Sequence, residues 1–139
     1  MLRYTLTLLL LTATLCLHAQ RERFNPEQFE ARLTQHVVEA ANFTQQEAAL
    51  YTAIHREMHG KQLVLFKRIR QYHHSNETDP KRCKHIVQEV DKLELQLKQL
   101  QQTYHNKLLS RLPADKVYLA LKAEAQFHRK SFKKAAARR

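Results

Sequence analysis

One glycine, Gly60, and three prolines, Pro26, Pro80 and Pro113, leave this 139-residue chain few places to turn. A lone glycine cannot build any of the glycine-rich loops that cradle phosphates, so nucleotide-driven activity finds no motif. No segment alternates apolar and polar residues for long enough to specify a half-buried strand. Cysteine is as scarce: Cys16 and Cys83 are the only two, and Cys16 lies in an apolar leader. If the leader is removed, Cys83 has no partner for an intramolecular disulfide, and packing alone must hold the fold. No serine, histidine and acid stand at a spacing that suggests nucleophilic catalysis, and the acids are spread along the chain among Lys and Arg. These absences point away from an enzyme.

The leader runs Met1 to Ala19, "MLRYTLTLLLLTATLCLHA", with basic Arg3, an apolar run centred on Leu8 to Leu11, and Leu17-His18-Ala19 before Gln20. That is how a cleaved secretory signal is built, and it is too short and interrupted for a membrane span of about 20 apolar residues. The mature chain is expected to begin at Gln20, with export to the periplasm and no transmembrane segment once the signal is cleaved. Cys16 raises lipidation, but Leu15 before it is not the small residue that such a site favours. The chain carries 24 Lys and Arg against 13 Asp and Glu, a net charge of +11 that falls to +10 when Arg3 leaves with the leader. Such a balance suits anionic partners: acidic unfolded chains, anionic lipid or polysaccharide. Export argues against nucleic acid. Arg129, Lys130, Lys133, Lys134, Arg138 and Arg139 crowd into the last eleven positions, so residues 129–139 read as a basic tail, a candidate tether to a membrane or an envelope polymer, behind a helical domain of residues 20–128.

Rich in Leu, Gln, Glu, Lys and Ala, the remainder predicts four helices, each proline standing at a helix start. Asn25 can cap the first, with Gln28 bonding back and Phe24 and Phe29 forming a staple, and Phe29, Leu33, Val37 and Ala40 share a face. The second starts at Thr44 with Glu47 as its reciprocal capping partner. Its stripe of Tyr51, Ile54, Met58, Leu65, Ile69 and Tyr72 makes a rod roughly 40 Å long. After the polar loop "HHSNETDP", a third helix from Asp79-Pro80 carries Cys83, Ile86, Val90, Leu93, Leu97, Leu100, Tyr104 and Leu108 at alternating spacings of three and four, close to a coiled-coil seam. The fourth, after "SRLPADK", turns Val117, Leu121 and Phe127 inward. Long helices with single apolar stripes bury little by themselves, so an elongated, hairpin-like array that forms a homodimer is expected.

Histidine is the abundant chemical residue: His36, His55, His59, His73, His74, His85, His105 and His128 follow the leader. His55 and His59, four apart on one helix, could share Zn²⁺ or Cu²⁺ with Met58 or Glu57 nearby; the alternative is a solvated helix face rich in histidine. Two ligands do not close a site, and a second protomer would have to supply more. No feature requires a cofactor. Cys83 sits in an apolar stripe, where packing rather than reactivity is expected. On the second helix, Lys61, Lys67, Arg68 and Arg70 interleave with Leu63, Leu65, Phe66, Ile69 and Tyr72. Such a surface attracts an unfolded chain by charge and holds it by apolar contact, provided that some of the apolar members are exposed.

The stretch "NFTQQEAALY", Asn42 to Tyr51, contains a glycosylation sequon at Asn42-Phe43-Thr44 and the capping box just described. "FTQQE" also resembles the LTxxQ motif of the Spy/CpxP family of bacterial periplasmic proteins, with Phe43 for the leucine, Thr44 matching, and Glu47 where the glutamine stands. The family carries a second copy before a later helix. Here "LPADK" keeps Leu112 but has Pro113 for threonine and Lys116 for glutamine. "QQTYHNKLL", Gln101 to Leu109, and a leader ending Ala-Gln are similar to members from Bacteroidetes. The resemblance spans Phe24 to about Phe132. It implies an all-α fold of long helices pairing as an antiparallel, cradle-like dimer. It further implies either an ATP-independent chaperone that holds unfolded or envelope proteins on a basic, partly apolar face, or an envelope-stress regulator. A third kind of relative is a metal-binding sensor of an extracytoplasmic signalling system. The motif residues are structural in that family, not catalytic. In a bacterial exported protein the sequon is then a chance match.

Overall fold

The computed structural model describes residues 25–137. The signal-peptide reading, Cys16, Phe24, Arg138 and Arg139 lie outside them. Four α-helices make up the described residues, with no strand among them: α1 (Pro26–Ala40), α2 (Gln45–His73), α3 (Pro80–Leu109) and α4 (Ala114–Ala136). The chain divides into two compact units after Arg32, and the buried core belongs to the second, from Leu33 on.

Helix boundaries follow local hydrogen-bond chemistry. The Asn25 side chain accepts from the backbone N–H groups of Glu27 and Gln28 at 3.0 and 3.2 Å. Thr44 and Glu47 close the reciprocal box at the start of α2: the Glu47 N–H donates to the Thr44 hydroxyl at 3.3 Å, and the Thr44 N–H donates to the Glu47 carboxylate at 2.8 Å. At α3, Asp79 accepts from the Arg82 N–H at 3.0 Å, and Pro80 occupies the first helical position, where no N–H is needed. Pro113 differs from the other two prolines. It precedes α4 as the N-cap, with no side-chain hydrogen bond, and its carbonyl accepts from Val117 at 3.0 Å.

Between α1 and α2 the chain turns at Asn42, whose φ of 49° is the one positive value at a non-glycine residue in the described chain. The Asn42 N–H donates to the Glu39 carbonyl and the Phe43 N–H to the Val38 carbonyl, both at 3.2 Å. Those two bonds, with a left-handed residue between them, form a Schellman motif. The asparagine of the sequon is thus the residue that stops α1. The same turn corrects the expected core face of α1: Ala41, only 1% exposed, is buried, whereas Ala40 faces solvent.

α2 and α3 run antiparallel as a hairpin, each about 45 Å long. One end holds the main core. There Leu33, Val37 and Ala41 meet Tyr51, Ile54 and Met58 of α2, Tyr104 and Leu108 of α3, Leu112, and Val117, Ala120 and Ala123 of α4. Leu121 and Phe127, expected to point inward, are only half-buried against that cluster, and two alanines let α4 approach closely instead. Toward the loop the hairpin continues as two helices alone, with Gln62, Ile69 and Leu93 buried and Ile86, Val90 and Leu97 half-buried. The expected α3 seam is therefore the face that α3 turns to its neighbours along its whole length. α4 does not stop at His128, where the basic tail was expected to begin, but stays helical to Ala136.

Candidate functional site

The α2 segment beyond the main core carries the candidate binding residues. Its inward row, Met58, Gln62, Leu65 and Ile69, faces α3, which at 100° per residue leaves Leu63, Val64 and Phe66 turned away. Those three are 53%, 62% and 43% exposed. Leu63 and Phe66 share a flank with Arg70, Lys67 lies outermost, and Val64 stands on the opposite flank with Arg68. Phe66, Lys67, Arg68 and Arg70 are all exposed. From Met58 to Asn76 there is no acidic residue, so the exposed apolar side chains sit in a wholly cationic stretch. Both polarity classes required of a binding face are present and accessible, while Leu65, Ile69 and Tyr72 of its apolar residues are withdrawn toward α3.

Lys61, expected to belong to this face, is instead part of the joint between the two long helices. Its ammonium lies 3.2 Å from Glu57 and 5.2 Å from the centre of the Tyr104 ring. Tyr104, then Glu57, hold it above the usual lysine range. Glu57 also accepts from the Tyr104 hydroxyl at 2.6 Å and from the Lys107 ammonium at 2.7 Å. Lys107, Tyr104 and Lys61, in that order, hold its carboxyl down at about 2. At the loop, the Glu77 carboxylate accepts from the backbone N–H groups of Asp79 and Thr78, which keep it below the ordinary range, and the Cys83 thiol lies 3.5 Å from the Glu77 carbonyl.

The two motif-like stretches come together. Glu47, while capping α2, also receives the ammonium of Lys116 from the first turn of α4. That ammonium, ahead of the Thr44 N–H, holds the Glu47 carboxyl below its usual value. Phe43 and Leu112 join the same core cluster, with Phe43 at 5.4 Å from Tyr51 ring to ring, and Pro113 starts α4 beside them. Thr44, Glu47 and Lys116 thus form one polar clasp joining the starts of α2 and α4.

His55 and His59 lie one turn apart on α2. Their rings stack at 6.2 Å between centres and 15° between planes. His55 is 4% exposed, and its Nε2 lies 3.3 Å from Glu124 of α4. His128 Nε2 is 3.9 Å from the same oxygen. Burial pushes the Glu124 carboxyl up, but the His55 hydrogen bond and the charges of His55, His128 and His105 outweigh it and leave the group below its ordinary value. No group of three or more His, Cys, Asp or Glu residues arranged to hold a metal ion occurs among the described residues. Among them, too, no helix is long and apolar enough to cross a membrane.

Fold and surface together define an all-α protein built on a long helical hairpin, clamped at one end and cationic with exposed apolar side chains along the free part of α2. Comparison of the chain with protein-family models, curated proteins and solved structures finds no match.

Proposed function

We propose that the protein is a periplasmic, ATP-independent chaperone or envelope stress-response protein of Spy/CpxP-like type. In this reading it holds unfolded or envelope protein segments on the α2 face between Leu63 and Arg70. The observation that carries the proposal is the exposure of Leu63, Val64 and Phe66 beside three cations, Lys67, Arg68 and Arg70, in a stretch of α2 with no acid. Leu63 and Phe66, neighbours on one flank and partly exposed, favour a partner that covers them. Long-range charge brings an acidic, unfolded segment to that face, and apolar contact retains it. Release needs no nucleotide, because each contact is weak and exchangeable. The homodimer belongs to the same proposal: two protomers would set two such faces in one assembly.

The test is suppression of aggregation of a chemically denatured acidic client at near-stoichiometric ratios. Suppression that weakens as salt is raised is the expected result, since screening shortens the reach of exposed charges to about 8 Å at physiological ionic strength. Absence of suppression at every ratio would sink the proposal. Sedimentation equilibrium of the same sample decides the dimer.

A further inference from the structure

The face of α4 opposite its core contacts is a second candidate surface, independent of the α2 face. Val117, Ala120 and Ala123 are buried. Helical geometry places Tyr118, Lys122, Ala125, Arg129 and Phe132 on the other side, spaced four, three, four and three residues apart. All five are exposed, Tyr118 by 64% and Phe132 by 74%. The row spans about 20 Å and alternates apolar and cationic side chains. Past His128 the helix stands clear of the core, with Ser131 alone half-buried between Arg129 and Ala136. Glu124 is the one acid from Tyr118 onward, and it is turned inward to His55. None of Lys122, Arg129, Lys130, Lys133 and Lys134 has an acidic partner within 4.0 Å among the described residues.

We propose that this face of α4 docks on a lipid bilayer with anionic headgroups, Tyr118 and Phe132 entering the headgroup boundary while the cations meet lipid phosphates. A second copy of the chain fits badly, because two such faces would oppose cation to cation. The outward face of a single helix also encloses nothing, whereas a bound peptide or single strand is held in a groove. A planar anionic surface touches such a helix along its length, and a basic helix carrying large apolar side chains is the form that lies in a membrane interface.

The chain contains no tryptophan, so Phe132→Trp in the full-length protein gives a single reporter. Its emission should shift to the blue with phosphatidylglycerol/phosphatidylcholine vesicles, stay unchanged with phosphatidylcholine alone, and recover on adding salt. Lys122→Gln/Arg129→Gln/Lys133→Gln should weaken partitioning by about a hundredfold, with the circular dichroism and melting midpoint of the parent. Leu63→Ser/Phe66→Ser should bind vesicles as well as the wild type does, which separates this surface from the α2 face. An equal shift with neutral vesicles, no shift with either kind, or tight binding to heparin without a shift on anionic vesicles would each overturn the proposal.

Discussion

The Tyr104 hydroxyl donates to the Glu57 carboxylate at 2.6 Å, across the interface between the two long helices. With Lys107 and Lys61 on the same carboxylate, Glu57 titrates near 2 in place of 4.5. A carboxyl held down in the folded state contributes stability that is complete above pH 4.5 and is lost as pH falls toward 2. The carboxylate is 45% exposed, so solvent screens the effect. Urea midpoints should therefore fall more steeply from pH 4.5 to 2 for the wild type than for Glu57→Gln. Tyr104→Phe and Lys107→Met should lie between the two. Equal slopes for wild type and Glu57→Gln would show that the joint is not formed in solution.

Asn42 closes α1 with φ at 49°. Left-handed backbone costs an ordinary side chain about 1 to 2 kcal/mol, and a β-branched one most, whereas glycine adopts it freely. Asn42→Gly should leave the melting midpoint nearly unchanged, and Asn42→Val should lower stability by about 1 to 2 kcal/mol. Both variants remove the sequon, so a difference between them reports backbone conformation and not glycosylation.

Gly60 lies inside α2, and a Cβ added there would meet nothing within 4 Å. With no steric reason for glycine at that position, Gly60→Ala should raise stability by about 0.5 to 1 kcal/mol in equilibrium unfolding. A loss would mean that α2 needs to bend at this point in solution.

Two imidazoles on one tetrahedral ion turn a nitrogen each toward a common point, so the nearly parallel rings of His55 and His59 must tilt before they can share an ion. Calorimetry with Zn²⁺ and Cu²⁺ should therefore give the same weak heats for the wild type and for His55→Ala/His59→Ala. A stoichiometric exothermic site lost in the double variant would establish metal binding by this pair.

Much of the architecture was legible because its determinants are local. Thr44 with Glu47, Asp79 with Pro80, and Asn25 each mark a helix start through bonds to residues two or three positions away. The α3 seam was legible because its spacing of three and four persists through Leu108. What was not legible depends on how distant helices meet. Lys61 looks like a free surface cation until the hairpin register brings Tyr104 beside it. His55 looks solvated until α4 covers it with Glu124. Ala120 and Ala123 carry little hydropathy signal, yet they are buried where larger residues such as Leu121 stay half out. Lys116 read as a departure from a repeated motif, and its ammonium meets the other copy at Glu47.

The most direct measurement compares two paired substitutions in the client-aggregation assay. Leu63→Ser/Phe66→Ser removes apolar surface from the cationic α2 face, and Val87→Ser/Leu95→Ser removes exposed apolar surface from α3, where Val87 and Leu95 are 59% and 64% exposed. Leu63, Val87 and Leu95 are more than half exposed, so each should change stability by no more than about 0.5 kcal/mol, while Phe66, 43% exposed, loses somewhat more, and the urea midpoint of each pair is measured alongside. The α2 pair should lose most of the suppression and the α3 pair should keep it. Equal activity of the two variants, or loss only in the α3 pair, would contradict the assignment of client binding to α2.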